Sequence, residues 1–443
     1  MRLQLPDNVK YIISRLQEAG FLAFVSGGAV RDCIMGRVPN DYDISTSALP
    51  EDVKRIFKRT IDTGIEHGTV TVVVNHIGYE VTTFRRDGKY GDGRHPEKVS
   101  FVKNVHDDCI RRDFTINAMS YNDTVGLIDF FCGKRDINQG IIRCVGNAEQ
   151  RFKEDALRML RAVRFSATFG FSIEQSTFDA IKKYAVLIKR ISNERIVSEL
   201  SKILISDNPD YFRVMYKTGL LEYIIPQLSK CFGEPQRNKY HIYDVGEHIM
   251  QTVKNTPSDL VLRWAALLHD IGKPYTSSTD DNGIIHFYGH HREGKRMADD
   301  ILHRLRLDND TINQILVLIE NHDVRIEPSP AAVKRMLAKT GPVLFEKLML
   351  LQLADNKAKS EECYREKKVK IETVIKIYEH VVSSNEPYRI SDLMINGKDL
   401  LKAGYKPGRA VGDVLKALVD EVIINPSLNN RMYLLKRAEE LKK

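Results

Sequence analysis

Two aspartates one residue apart follow a double glycine in the segment SGGAVRDCIMGRVPNDYDIST, residues 26–46. In an extended stretch, the two-residue period directs the carboxylates of Asp41 and Asp43 to one face, about 7 Å apart along the chain. Two divalent cations could share such a pair, as in two-metal phosphoryl transfer. An isolated Asp-x-Asp is more often an ordinary acidic turn, and the nearby glycines favour the chemical interpretation.

The glycines and a third carboxylate extend this candidate site. Gly27 and Gly28 come between a strand and a short helix, where backbone amides could approach a triphosphate and Arg31 could supply positive charge. Two-metal transfer generally needs one more carboxylate, and Glu80 in the strand-like YEVTTF is the candidate. These residues predict a nucleotidyl-transfer site.

The middle third of the chain contains a second set of residues that could do metal chemistry. Imidazoles and carboxylates in this mixture can hold one or two transition metals and activate a water molecule. The candidates are His248, His269, Asp270, His290, His322 and Asp355, with His291 able to take the place of His290. Any one of these histidines is more often a packed or surface residue, but the ensemble predicts a metal site.

The residue patterns predict an α+β protein in which the sheet comes first. Strand-like runs at 21–25, 69–74 and 79–84 alternate with short helical patterns, and NHIG at 75–78 predicts an antiparallel hairpin. From about Ala148 onward the pattern is almost wholly helical. We expect four domains: 1–140, 141–230, 231–385 and 386–443.

The segment EDALRMLRAVRF predicts a way of choosing bases. Asp155 and Arg158 are spaced i,i+3 and should share a face of one helix. A carboxylate accepts a hydrogen bond from an exocyclic amine, and a guanidinium donates one to a ring nitrogen. Cytosine and adenine present this amine donor and ring-nitrogen acceptor on their Watson–Crick edges, whereas uracil and guanine present the reverse arrangement. This pair could therefore select C and A without a template; the alternative is a surface ion pair.

Composition is consistent with a polyanionic partner. The chain has 443 residues and a formal charge of +8, with basic clusters at 85–112 and 151–164. It lacks any run of about 18 apolar residues and any signal-peptide pattern at its start, so we expect a cytosolic protein without a membrane span.

The order of motifs resembles that of bacterial-type tRNA nucleotidyltransferases, the CCA-adding enzymes, and their relatives the bacterial poly(A) polymerases. The motifs are GGAVRD, DYDI, RRDFTINAMSYN, DFFCGKRDI, EDALRMLRAVRF and ERIVSELSKIL, within residues 20–210. The resemblance implies a polymerase-β-like nucleotidyltransferase head and an all-helical neck. It also implies Mg²⁺ at Asp41 and Asp43, ATP and CTP as substrates, and tRNA as the partner.

The resemblance implies the same nucleotide contacts as the residue chemistry and adds further ones. Those expected to contact the nucleotide are Gly28, Arg31, Arg112, Asp113, Asp155, Arg158, Arg161 and Arg164. A glycine-rich, charged stretch at 83–101 lies where the family has a mobile loop needed for A addition. The C-terminal segment resembles the family's tail, which holds the tRNA elbow, and Lys402, Lys406 and Arg409 are candidate phosphate contacts.

The motif HDIGK, with an upstream Glu-His and a downstream Asp, resembles the HD phosphohydrolase superfamily. This resemblance implies an HD-type helical body with His248, His269, Asp270 and Asp355 as ligands, and His290 and His322 as extra ligands of two-metal members. Two alternatives remain open: a poly(A) polymerase or A-adding enzyme, and an HD phosphohydrolase whose head is a non-catalytic RNA-binding module.

Overall fold

The computed structural model describes residues 2–88, 99–236 and 242–442. The chain divides into two compact units, Met1–Pro226 and Gln227–Lys443. The first unit combines a sheet with helices and the second is mainly helical, which confirms the predicted α+β class with an N-terminal head. Among the described residues, the structure contains no helix long and apolar enough to cross a membrane.

A seven-stranded sheet forms the centre of the head, in the order β3-β4-β5-β2-β1-β8-β9. The seven strands are β1 (Ala23–Ser26), β2 (Ile44–Thr46), β3 (Thr60–Gly64), β4 (Thr69–Val74), β5 (Ile77–Thr83), β8 (Ser120–Asn122) and β9 (Gly126–Ile128). A separate pair consists of β6 (Arg85–Asp87) and β7 (Val99–Phe101). The head helices are α1 (Asp7–Glu18), α2 (Gly28–Ile34), α3 (Pro50–Ile56), α4 (Val105–Ile110) and α5 (Gly133–Gln139).

The hairpin predicted at 75–78 is confirmed. Strands β4 and β5 pair antiparallel with Val74 opposite Ile77. Asn75 and His76 have φ values of 50° and 65°, and positive φ at both central residues is the geometry that matches the twist of two paired strands. The β-branched run TVTVVV favours the strand that leads into this turn.

The loop predicted over 83–101 lies mostly outside the described residues, as do Lys89, Arg94 and Lys98 of the basic cluster. On either side of the part left out, β6 and β7 pair antiparallel, with Arg85 opposite Phe101.

Helices follow the head in the first unit. They are α6 (Ala148–Glu154), α7 (Leu157–Phe169), α8 (Gln175–Tyr184), α9 (Asn193–Leu204), α10 (Phe212–Lys217) and α11 (Leu220–Ile224), with short strands β10 (Ile141–Ile142) and β11 (Ser172–Ile173) pairing in parallel. The short helix α12 (Pro226–Ser229) spans the boundary between the two units. Helix α7 packs against α9 through buried apolar side chains such as Leu160, Val163 and Leu200. This packing holds the arginines of α7 in place.

The second unit contains ten longer helices and one small hairpin within the described residues. The helices are α13 (Val245–Asn255), α14 (Leu260–Leu268), α15 (His290–Arg304), α16 (Asn309–Asn321), α17 (Pro330–Thr340), α18 (Pro342–Lys357), α19 (Glu361–Ser383), α20 (Gly397–Lys402), α21 (Arg409–Ile424) and α22 (Arg431–Glu440). The hairpin joins β12 (Ser278–Thr279) to β13 (Ile285–His286).

Local sequence explains where several of these helices begin. Asp244, Asp259 and Asp308 each precede a helix and accept a hydrogen bond from a backbone amide in its first turn. An aspartate at this position satisfies an otherwise unpaired donor and stabilises a helix by roughly 1 kcal/mol. The last three helices share a core that includes Leu400, Leu418 and Leu434. The fourfold domain division with boundaries near 140, 230 and 385 stays a prediction.

Candidate active site and metal centre

Strand pairing brings the head carboxylates together. Strands β2 and β5 are parallel, with Ile44 opposite Val81. Asp43 and Glu80 each come one residue earlier, so Asp43, just before β2, lies beside Glu80 in the middle of β5. The Ser26 backbone amide donates to the Asp43 carbonyl oxygen at 2.9 Å, which ties the aspartate to the strand that precedes the double glycine.

The carboxylates are close enough to affect one another's ionisation. Partial loss of hydration raises the pKa of Asp43, and the Asp41 charge raises it further, while the Arg112 charge opposes the shift. Partial loss of hydration also raises the pKa of Glu80, followed by the charges of Asp43 and Asp41. All three side chains remain exposed. Mutually repelling carboxylates open to solvent are the donor set that a divalent cation fits.

Arg112 lies against the glycine turn. Gly27 has a φ of 74°, and a methyl group added there would lie 2.5 Å from the Arg112 Nη1 atom. Arg112 Nη2 donates to Asp108 at 3.1 Å, whereas its buried Nε has no hydrogen-bond partner among the described residues. The turn therefore favours glycine for its backbone angle, and a side chain there would displace the Arg112 guanidinium.

Arg31 lies in α2, directly after the glycines, and is buried. Its Nη1 donates to Asn117 Oδ1 at 2.6 Å and its Nε donates to Asp32 at 2.9 Å. Its guanidinium also packs over the Phe165 and Phe169 rings, at 5.2 and 4.8 Å from their centroids. Arg31 thus lies directly after the double glycine, and its contacts join α2 to α7.

Asp113 is a buried junction between the head and α7. Its Oδ2 accepts from Arg161 Nε at 2.8 Å and its Oδ1 accepts from Asn117 Nδ2 at 3.0 Å. Burial by itself raises the pKa of Asp113, but the Arg161 charge and these hydrogen bonds lower it to about 2. Its contacts make Asp113 a positioning residue for Arg161.

Replacing Asp113 with asparagine is expected to remove an acid-sensitive part of the free energy of unfolding. The pKa of the folded carboxyl, about 2, lies below its ordinary value of 3.8, so the stabilisation is complete above about pH 4 and is lost as pH falls through 2. Urea unfolding should show that the difference in free energy of unfolding between the native protein and Asp113→Asn becomes smaller by about 2 kcal/mol from pH 5 to pH 2.

The exposed Asp62→Asn variant is the control for this pH dependence. If the difference in free energy of unfolding between the native protein and Asp113→Asn stayed constant from pH 5 to pH 2, the ion pair between Asp113 and Arg161 would be contradicted.

The prediction that Asp155 and Arg158 share one helix face is wrong. Helix α6 ends at Glu154 and α7 begins at Leu157, and Asp155 has extended backbone angles between them. Its Oδ1 accepts from the Leu157 amide at 2.9 Å and its Oδ2 accepts from Arg195 Nη2 at 2.9 Å. A side chain that accepts from the backbone amide two residues on competes with helix formation, which accounts for the break.

Each arginine of α7 proposed to contact a nucleotide has a carboxylate partner. Arg158 donates to Glu154 at 2.9 Å, Arg161 pairs with Asp113, and Arg164 donates to Glu199 at 2.6 Å. Sequence reasoning missed the roles of Glu154, Arg195 and Glu199. A signal was present, because Arg195 and Glu199 are spaced i,i+4 in α9, on a face that α7 covers.

The histidines of the second unit converge on two carboxylates. His248 Nε2 lies 2.9 Å from Asp355 Oδ1, and His269 Nε2 lies 3.2 Å from Asp270 Oδ2. His290 Nε2 lies 3.5 Å from the other oxygen of Asp270. His322 Nε2 lies 3.6 Å from that same oxygen. The structure therefore brings together all the predicted ligands of the HD-type centre.

The ring orientations fit a metal ion. In all four histidines Nδ1 faces a backbone carbonyl oxygen. The distance is 2.8 Å from His269 Nδ1 to the Ala266 oxygen and 2.7 Å from His322 Nδ1 to the Ile319 oxygen. A proton held at Nδ1 leaves the Nε2 lone pair free to bind a metal, and such outer hydrogen bonds are usual for ligating histidines. The buried Nε2 of His269, although 3.2 Å from Asp270 Oδ2, forms no well-directed hydrogen bond with any described residue.

Asp270 belongs to two possible ligand sets. One consists of His248, His269 and Asp270, and the other of Asp270, His290 and His322. His290 begins α15 and enters the cluster, whereas His291 belongs to neither set, so the choice between the two falls on His290.

Lysines balance the two buried carboxylates. Lys273 Nζ lies 2.7 Å from Asp270 Oδ2, and Lys359 Nζ lies 2.7 Å from Asp355 Oδ2. Burial alone raises the pKa of Asp270, but electrostatic interactions with His269 and Lys273 hold that pKa well below the ordinary range. The carboxylates are thus kept ionised, the form that binds a metal.

Three families match successive parts of the sequence. Residues 23–143 match the poly A polymerase head domain. Residues 170–232 match the probable RNA and SrmB-binding site of polymerase A, and residues 239–382 match the HD domain.

Similar proteins cover nearly the whole chain. The CCA-adding enzyme of Ligilactobacillus salivarius is 33% identical over 446 residues, covering 99% of this chain and 98% of the relative. The crystal structure of the Bacillus stearothermophilus CCA-adding enzyme in complex with CTP is 30% identical, with a TM-score of 0.74, covering 97% of this chain and 96% of that one. The Thermotoga maritima CCA-adding enzyme complexed with tRNA, 22% identical with a TM-score of 0.65, covers 100% of both chains and shows the same fold.

Proposed function

The chain belongs to the family of CCA-adding enzymes, and we propose that it adds C, C and A to the 3′ end of tRNA from CTP and ATP without a nucleic-acid template. One observation carries the proposal: the parallel register of β2 and β5 puts Asp43 beside Glu80, next to a glycine turn that Arg112 covers. The full-length similarity to CCA-adding enzymes favours this activity over poly(A) synthesis.

The proposed reaction is attack by the RNA 3′ hydroxyl on the α-phosphate of the bound nucleotide, with pyrophosphate leaving. Asp41, Asp43 and Glu80 would hold Mg²⁺, which when bound supplies positive charge to the hydroxyl and the triphosphate. The open turn at Gly27 and Gly28 would let the triphosphate approach the backbone, and Arg112 would face it. Arg31 and Asp113 are also proposed to contact the nucleotide, and their bonds to Asn117, Asp32 and Arg161 orient their side chains.

Asp155 and Arg158 are proposed to read the base, with Arg161 and Arg164 as further nucleotide contacts. Each oxygen of a carboxylate can accept a second hydrogen bond, so the bonds of Asp155 to Leu157 and Arg195 leave it able to accept an exocyclic amine. Glu154 and the Arg111 carbonyl oxygen orient the Arg158 guanidinium. The base would thus contact Asp155 and Arg158, whose side chains these neighbouring hydrogen bonds keep in fixed orientations.

The Asp155→Ala variant is expected to lose about tenfold to a hundredfold of the discrimination between CTP and UTP, since a hydrogen-bonded pair contributes about 1–3 kcal/mol. The measurement is single-nucleotide incorporation into a tRNA that lacks CCA. Asp179→Ala, an exposed acid on α8, should keep native selectivity. Unchanged selectivity in Asp155→Ala would assign base reading to other residues.

The overall activity is tested with tRNA transcripts that end before CCA, after C and after CC, given each nucleoside triphosphate singly and in combination. Products that stop after CCA support the proposal. Long A-tails would identify a poly(A) polymerase, and addition of A alone would identify an A-adding enzyme.

The second unit is proposed to hold one or two transition-metal ions and to hydrolyse phosphoesters. The ligands would be His248, His269, Asp270 and Asp355, with His290 and His322 completing a second position. Bound metal ions would supply an activated water and a positive charge for the phosphate. The chain's own contribution is to hold the imidazoles in one orientation and the carboxylates ionised.

Two further proposals concern partners and location. Lys402, Lys406 and Arg409 are exposed and would contact phosphates of the tRNA elbow. We also propose a cytoplasmic location, in keeping with tRNA as the substrate.

A further inference from the structure

A cavity of about 460 Å³ lies beside the HD-type centre in the second unit. His322, Asp355 and Lys359 line it, and they also line a cavity of about 290 Å³ that Asp270 and His290 border. The two cavities therefore adjoin at the cluster itself. Their sizes are within or close to the range of about 300–1,000 Å³ that is typical of small-molecule sites.

One part of the larger cavity is apolar, with Met349, Ile371 and Val374 in its wall. Asn356 also lines it and is only 6% exposed. Its Nδ2 donates to the Gln352 carbonyl oxygen at 2.7 Å, which fixes the orientation of the amide. The Asn356 Oδ1 is buried and has no hydrogen-bond partner within the described part of the chain, so it is an unpaired acceptor beside these apolar residues.

Lys367 is the second unusual group in this cavity. Burial lowers the pKa of Lys367, and the nearby Lys359 charge lowers it further. Lys359 has Asp355 as its partner, whereas Lys367 forms no ion pair with any described residue. The acids of the wall other than Asp355, namely Asp323, Glu327 and Glu366, are exposed. A half-buried ammonium without a counter-ion favours an anionic ligand.

We propose that this cleft binds a nucleoside carrying two phosphate groups, one at the HD-type centre and the other at Lys367, with the nucleoside between them. Met349, Ile371 and Val374 would contact the base or ribose, and Asn356 Oδ1 would accept a hydrogen bond from an amine or hydroxyl. A nucleoside bisphosphate and the last nucleotide of an RNA with a 3′-terminal phosphate share this chemistry. The inference rests on the proposed metal centre of the second unit.

The test is calorimetric titration of the full-length, Mn²⁺-loaded protein with uridine 3′,5′-bisphosphate, 3′-UMP and 5′-UMP. Uridine is used because the head is proposed to reject it, and excess CTP should leave the binding unchanged. The bisphosphate should bind at least tenfold more tightly than either monophosphate. Lys367→Met should remove that advantage and leave 3′-UMP binding as it was, and Asn356→Ala should weaken all three ligands.

Lys368→Met is the matched control, because Lys368 is one residue along α19 and pairs with Glu372. Equal affinities for bisphosphate and monophosphate in a protein that retains Mn²⁺ would overturn the inference and leave the metal centre standing. Retention of Mn²⁺ is measured by electron paramagnetic resonance. Failure to retain Mn²⁺ would overturn both this inference and the proposed metal centre. The two sources of the ligand are distinguished with a UpU dinucleotide that carries a 3′ phosphate. If the dinucleotide binds as tightly as the bisphosphate, the ligand is an RNA end. If the dinucleotide binds more weakly, the ligand is a free nucleotide.

Discussion

Replacing Asp43 with alanine is expected to lower nucleotide incorporation into tRNA by about 10³-fold or more, about 4 kcal/mol of transition-state stabilisation. Asp43 lies beside Glu80 across the parallel pair of strands, and its charge acts on Glu80. Removing one carboxylate leaves the other two unable to hold the same cations beside the triphosphate. Single-turnover incorporation of CTP measures the effect.

Two controls separate this loss from misfolding and from the second unit. Asp62→Ala removes another exposed acid of the head sheet and should incorporate nucleotides at the native rate. His269→Ala should also spare incorporation, because His269 belongs to the other compact unit. A folded Asp43→Ala protein with native activity would remove the proposed catalytic role of this residue. It would also favour the alternative in which the head binds RNA without catalysis.

The second large effect is expected from Asp270→Asn, which should reduce the metal content of the second unit from as many as two ions to none. Asp270 is shared by both ligand sets, so loss of its charge weakens both positions at once. Asparagine keeps the size of the side chain and limits disturbance of the buried cluster. Metal content after dialysis, measured by plasma mass spectrometry, gives the result directly.

Variants of neighbouring histidines refine this prediction. His290→Ala should lose one ion and retain the other, because His290 belongs to one set alone. His291→Ala should lose none, since His291 lies outside both sets. Full metal content in Asp270→Asn would show that Asp270 does not join the two positions. Incorporation of CTP should stay native in all three variants.

Much of this protein follows from short stretches of sequence because the determining interactions are local. The Asn75–His76 turn needs only the two flanking strands to define it. The double glycine precedes a helix, and Asp41 and Asp43 come directly before β2 within the same segment. The candidate ligands of the HD-type centre could also be named in advance, because the HDIGK motif and its flanking residues resemble a known superfamily.

The tertiary structure decided which of these groups meet and how. The break at Asp155 was not visible in the i,i+3 spacing, because the carboxylate accepts from the backbone of Leu157 and from Arg195, 40 residues away. The choice of His290 over His291 depended on the packing of α15 against α16, which puts His290 Nε2 3.4 Å from His322 Nε2. The cavity at Asn356 and Lys367 exists only where α18 and α19 pack together. Spacing along one segment determines local geometry, whereas pairing between distant segments depends on packing that no single segment contains.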